Sequence, residues 1–147
     1  MRYQLYDCSA EKVYLEKELD YIENYVAFHR LRKEEKLIVS LKIENNSTDL
    51  KIAPLLLVIL IENAFKFVSN FAEKDNEISI KISVENNSLN CSVINSVDKL
   101  HVPNSNSNGI GISNLKRRLA LLYPQKYEFT INNGVDFFET ILKINLQ

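Results

Sequence analysis

Cysteine, glycine, proline and charge of one sign are all scarce in this sequence, and each scarcity removes a class of protein. The two cysteines among 147 residues, Cys8 and Cys91, lie far apart without metal-type spacing, a usage that fits a reducing cytosol. Three glycines and three prolines leave no Pro/Gly-rich linker, and no internal repeat is present. A net charge of -1 offers no basic field for nucleic acid or for an anionic membrane. Long apolar runs are missing too. The longest, Ile52 to Ile61, contains Pro54 and is too short to cross a bilayer. The opening Met1-Arg2-Tyr3-Gln4 lacks the apolar stretch of a signal peptide. What is there is ordinary: 46% hydrophobic and 25% charged residues, the balance of one soluble mixed α/β domain.

From Leu15 to about Lys33, Leu15, Leu19, Ile22, Val26 and Leu31 recur mostly at three- and four-residue steps, which predicts an amphipathic helix. Leu37 to Glu44 alternates as a strand, and Asn45 to Asp49 reads as a polar turn. A helix apolar on nearly every side is expected from Pro54 to about Val68, with the proline at its first position. Asn76 to Glu85 and Leu89 to Ile94 form a predicted hairpin around Asn86-Asn87-Ser88. Periodicity stops from Asn95 to Asn108, a long polar loop. A third helix is expected after Gly109-Ile110-Gly111, running to Leu122. A last hairpin, Tyr127 to Asn132 and Val135 to Ile144, turns at Asn132-Asn133-Gly134. This order predicts an α+β two-layer sandwich: a mixed, mostly antiparallel sheet with three helices on one face.

Two interruptions carry chemistry. Glu62, Asn63 and Lys66 break an otherwise apolar helix, where polar groups are costly without partners. One reading is a Glu62–Lys66 pair one turn apart. The other makes Asn63 an oxygen ligand of a hard cation such as magnesium, with Lys66 meeting phosphates one turn on. The second interruption is Gly109-Ile110-Gly111-Ile112 at a helix start after the long loop, where free N–H groups favour an anion.

Glu62-Asn63-Ala64-x-Lys66 resembles the N box of the GHKL nucleotide-binding superfamily, and Gly109-Ile110-Gly111-Ile112 resembles its second glycine box. The longer string Gly109 to Leu119, with Asn114 and Arg118 inside it, is similar to the pattern of the Lyt/Yeh-type sensor histidine kinases. Leu15-x-x-Glu18-Leu19-x-Tyr21-Ile22 and Arg30-Leu31-Arg32 resemble the helix that leads into that family's ATP-binding domain. The resemblance spans about residues 13 to 144. It implies a Bergerat-type fold with residues 1–34 as an N-terminal segment and connector helix, and 35–147 as the ATP-binding domain. The lid would lie at about 96–108. It further implies ATP and Mg2+ as cofactors, with Asn63 on magnesium and Lys66, Gly109, Ile110, Gly111, Ile112 and Arg118 on the nucleotide. Glu62 matches the acidic residue that activates water in ATPases of the superfamily; its part in a kinase is left open.

Two departures stand out. Where the family's first glycine box offers an Asp to the adenine amino group, this chain has Asn95 and no following glycine. An amide oxygen can still accept that bond, without the charge assistance of a carboxylate; equally, Asn95 reads as a strand-ending turn residue. Phe67 stands where His commonly follows the N-box Lys. The phosphoacceptor setting is absent, for neither His29 nor His101 lies in a Pro-His-Phe context. The expectation is thus the catalytic, cytoplasmic half of a membrane-anchored sensor kinase. Its partners would be its own dimerisation domain, missing here, and a response regulator, with no nucleic acid and no membrane insertion of this fragment. The alternatives are a degenerate domain kept as a protein-interaction module and a stand-alone GHKL protein kinase.

Overall fold

The computed structural model describes residues 12–31, 36–98 and 108–147. The described residues form seven strands and three helices: β1 (Val13–Tyr14), α1 (Leu15–Leu31), β2 (Leu37–Asn45), β3 (Lys51–Ile52), α2 (Leu56–Phe67), β4 (Asn76–Glu85), β5 (Ser88–Ser96), α3 (Asn108–Leu122), β6 (Tyr127–Asn133) and β7 (Phe137–Asn145). Five strands make one sheet in the order β2-β4-β5-β7-β6, and β1 pairs with β3 as a separate two-stranded ribbon. Only β2 and β4 run parallel, Leu37 opposite Asn76, so the chain between them must cross over, and it carries α2.

Alternation decides which face is wet. Ile78, Ile80, Ile82 and Val84 of β4, Leu89, Cys91 and Val93 of β5, and Leu142 and Ile144 of β7 are buried, while Lys81, Glu85 and Lys143 point the other way into solvent. The buried set shares one core with Leu15, Leu19, Ile22 and Val26 of α1, Leu57, Leu60 and Ile61 of α2, and Leu115 and Leu119 of α3. Three helices therefore cover one side of a mixed sheet, the expected two-layer α+β sandwich. Acidic Glu16 and Glu18 open α1 and basic His29 and Arg30 close it, in keeping with the helix dipole.

Several boundaries differ from the sequence reading, each for a local reason. Pro54 lies in the turn before α2, because Leu55 adopts a left-handed conformation at φ 66° and the helix starts one residue later. The hairpin β4–β5 turns on Asn86 and Asn87 alone, both at positive φ, as two-residue hairpins favour; β5 consequently begins at Ser88 and runs on through Asn95 to Ser96. Helix α3 begins at Asn108, so Gly109 and Gly111 lie inside its first turn instead of before it. The last hairpin turns at Gly134-Val135-Asp136, closed by the Gly134 N–H donating to the Phe137 carbonyl at 2.9 Å, which leaves Val135 out of the strand. Most of the expected lid, residues 99–107, lies outside the described residues, as does His101. The β1–β3 ribbon was not expected; its two-residue strands are too short to show a period.

Candidate functional site

Helix α2 carries the N-box residues at its C-terminal end, where Glu62 and Asn63 are half-buried and Lys66 is exposed. Among the described residues no ion pair joins Glu62 to Lys66, so the simple surface pair is not formed. Lys66 instead holds its ammonium 5.2 Å from the centre of the Phe67 ring. Burial raises the Glu62 carboxyl above the usual carboxylate range. Its charge acts on two phenols of α1, Tyr21 and Tyr25; burial, then Glu62, then Tyr21 push Tyr25 up to about 12. Tyr25 also meets Phe65 edge-on at 5.5 Å, and the His29 ring stacks on Phe65 at 4.4 Å. His29 thus belongs to an aromatic seam between α1 and α2.

The glycine-box helix packs beside the N-box helix. A Cβ placed on Gly111 would lie 3.9 Å from Ile59 Cγ2, ordinary contact, so the first turn of α3 runs close to α2 one turn before Asn63. Ile112 is half-buried against the core. Of Gly109 and Ile110 the structure gives the helical backbone only. Arg118, two turns further along α3, donates from Nη2 to the Pro54 carbonyl at 2.7 Å, at the opposite end of α2 from Lys66.

Asn95 is buried near the end of β5, opposite Ile78 of β4 and Phe138 of β7, with Nδ2 donating to the Ser96 carbonyl at 3.2 Å. The same strand end is tied to the chain leaving α2. The Ser69 N–H donates to the Ser96 carbonyl at 2.8 Å, and the Ser69 and Ser96 hydroxyls lie 2.6 Å apart. Asn76 completes the tie. Its Oδ1 accepts from the Ser69 hydroxyl and the Phe71 N–H, both at 2.7 Å, and Nδ2 donates to the Phe71 carbonyl at 3.2 Å. The chain leaving the Asn63 helix is therefore tied to the strand end that carries Asn95, while the first turn of α3 with Gly111 runs beside α2 at Ile59.

Sequence reasoning did not single out Ser69, Asn76, Ser96 or Tyr123, and it named Glu18 only as part of the connector-helix motif. For Glu18 a signal existed: it is an acid at a core-facing position, three residues after Leu15 and four before Ile22, and it is fully buried. Among the described residues no group of three His, Cys, Asp or Glu side chains comes together, so a cation at Asn63 would take further oxygens from phosphate and water, as magnesium does. Asn63 supplies a neutral hard oxygen, Lys66 an exposed cation one turn away, and the first turn of α3 free N–H groups. That donor set fits a magnesium–nucleotide complex.

No family model matches the chain. It is similar to Sensor protein LytS of Staphylococcus haemolyticus, 28% identical over 123 residues, 76% of this chain and 21% of that protein. LytS of Streptococcus mutans is 32% identical over 124 residues, again 76% of this chain and 21% of that protein. Among solved structures, the catalytic domain of histidine kinase ThkA superposes with a TM-score of 0.60 at 17% identity, covering 92% of this chain and 95% of that one. The chain is similar in sequence to part of Sensor protein LytS and shares the fold of histidine kinase catalytic domains. Acinetobacter baumannii histidine kinase AdeS shares the fold at a TM-score of 0.58 and 14% identity, over 92% of this chain and 68% of that one. The Lyt-type match is with a part: the chain spans about a fifth of the length of the curated relatives it matches. Among the described residues no helix is long and apolar enough to cross a membrane.

Proposed function

We propose that this chain binds Mg-ATP between the C-terminal half of α2 and the first turn of α3, as the cytoplasmic catalytic domain of a sensor histidine kinase. In the complete protein it would present the γ-phosphate to a histidine on a separate dimerisation domain. A response regulator would take the phosphoryl group onward; a ThkA structure of the same fold is a complex with the response regulator TrrA. The observation that supports the reading is the close approach of the first turn of α3 to α2 at Ile59, in a fold shared with histidine kinase catalytic domains.

Phosphoryl transfer asks a protein mainly for positioning and charge neutralisation. Magnesium, when bound, would draw charge from the phosphates. Asn63 would hold that ion by its amide oxygen, and Lys66 would place a point charge on the phosphate oxygens. The first turn of α3 would offer backbone N–H groups, with Gly109 and Gly111 allowing close approach. Asn95 would accept the adenine amino hydrogen. Arg118, held by the Pro54 carbonyl, would serve the site through α2.

Calorimetric titration with a non-hydrolysable ATP analogue tests this directly. Micromolar-to-millimolar binding that weakens under excess chelator is expected, and Asn63→Ala should lose the magnesium-dependent part while keeping its far-ultraviolet circular dichroism. Unchanged affinity in Asn63→Ala would overturn the assignment. The missing first glycine box favours a second reading, a degenerate domain retained as an interaction module. No heat and no thermal shift at millimolar nucleotide would decide for it.

A further inference from the structure

Three consecutive residues at the start of α2 are each held by a side chain from elsewhere. The Ala53 N–H donates to the Tyr123 hydroxyl at 2.9 Å, the Pro54 carbonyl accepts from Arg118 at 2.7 Å, and the Leu55 N–H donates to Glu18 Oε2 at 3.0 Å. Glu18 comes from the first turn of α1, Arg118 from within α3, and Tyr123 from just beyond its end. Glu18 and Tyr123 are buried and Arg118 is half-buried.

The chain does something unusual where these groups converge. Leu55 sits at φ 66°, a left-handed conformation that is strained for a non-glycine residue and persists only where the surroundings over-determine it. Leu55 has no side-chain cap of its own, yet its carbonyl accepts the first helical bond, from Ile59 N–H at 3.3 Å. The direction in which α2 leaves the turn therefore depends on how the turn is held. A carboxylate suits this place, since it faces the positive end of the helix.

We propose that Glu18, with Arg118 and Tyr123, is a positioning clamp that sets the placement of the N-box helix against the glycine-box helix and links both to α1. The proposal rests on the nucleotide reading above. Two jaws of the clamp belong to the α3 segment, so the turn that launches Asn63 is referenced to the helix that carries Gly111. The third belongs to α1, whose displacement would pull on Leu55 and move Asn63 relative to Gly111. A misplacement of about 1 Å can cost on the order of 100-fold in such sites, so a roughly tenfold loss of nucleotide affinity is a fair expectation for a slackened clamp.

The test uses the 147-residue chain and three variants, Glu18→Ala, Glu18→Gln and Tyr123→Phe. It has two readouts: affinity for the magnesium complex of a non-hydrolysable ATP analogue, and backbone amide resonances of Asn63 and Gly111 without nucleotide. Glu18→Ala is expected to bind roughly tenfold more weakly while keeping a cooperative thermal transition, and to shift both resonances. Glu18→Gln, which keeps an oxygen for the Leu55 N–H, should recover most of the affinity. Resonance changes confined to residues 53–55 and α1, with affinity unchanged, would overturn the clamp. If Glu18→Ala does not fold, Tyr123→Phe decides by the same readouts, since it removes only a hydroxyl. If the parent chain binds no nucleotide, the nucleotide reading falls, and the two resonances alone decide whether the clamp places α2 against α3.

Discussion

Asn95 shows how much one atom can matter. In the site proposed above it would accept the adenine amino hydrogen where the resembled pattern has a carboxylate; it is almost wholly buried with its amide nitrogen on the Ser96 carbonyl. Asn95→Asp would trade that donor for a charge facing a carbonyl, which should destabilise the free chain by about 1–3 kcal/mol. The same carboxylate would make a charge-assisted bond to the adenine amino group, so affinity for the ATP analogue should rise severalfold. Urea titration and calorimetry on the same preparation check both signs; weaker binding would count against Asn95 as the adenine acceptor. Gly134 is a residue of a different kind. It has no positive φ, but a Cβ there would fall 2.1 Å from the Phe137 ring. Gly134→Ala must swing that ring away, and a loss of about 1 kcal/mol is expected in urea titration, smaller than a core deletion because Phe137 is already partly exposed. Such residues were only half legible in the sequence. Asn63 and Lys66 stood out because they interrupt an apolar helix. Asn76 did not, since an asparagine opening a strand has no period to break.

Elements were read more surely than their ends. Helix α1 and strand β4 carry strong periods: Leu15, Leu19, Ile22 and Val26, and Ile78, Ile80, Ile82 and Val84, are buried as the spacing placed them, whereas Leu31 at the end of α1 is 79% exposed. The start of α2 did not, because the left-handed Leu55 is imposed by side chains remote in sequence, Glu18, Arg118 and Tyr123 among them, and a local reading of Pro54 cannot see them. The connection from α2 to β4 depends in the same way on one side chain. Asn76 accepts two hydrogen bonds and donates to the Phe71 carbonyl, with a longer approach to the Lys36 carbonyl at 3.4 Å. Asn76→Ala would strand the Phe71 N–H and take the Asn76 acceptor from the Ser69 hydroxyl, leaving Ser69 bonded to Ser96. We expect about 2 kcal/mol of lost stability with little change in the urea m-value, and faster hydrogen exchange in residues 69–75 than in β4. Uniform exchange across both segments would show that the loop is held by something else.

At the scale of the whole molecule, a buried thiol and a half-buried phenol predict how the fold meets alkali. Burial pushes the Cys91 thiol up to about 12 from an ordinary 9.0. Burial, Glu62 and Tyr21 together push the Tyr25 phenol to about 12 from 10.0. Each group keeps its proton in the folded chain at a pH where the unfolded chain releases it, so both contributions are whole below about pH 9 and fade as pH rises towards 12. Thermal transition temperatures should therefore be level from about pH 7 to 9 and then fall. Combining Cys91→Ala with Tyr25→Phe should flatten that fall, and an unchanged slope would assign it to other groups. Cys91 should also resist thiol reagents until the chain unfolds, since the thiolate is the reactive form.

The parallel pairing of β2 with β4 has a consequence in time. Every other strand pair in the sheet is antiparallel, two of them joined by tight hairpins, but Leu37 cannot meet Asn76 until the intervening chain has looped round. Helix α2 lies inside that loop, so Asn63 and Lys66 cannot reach their final place before this long-range pairing closes. A nucleotide that recognises the finished site would then find nothing to grip during most of refolding. It should leave the refolding rate nearly untouched and slow unfolding instead, so its effect would be a longer lifetime of the native chain.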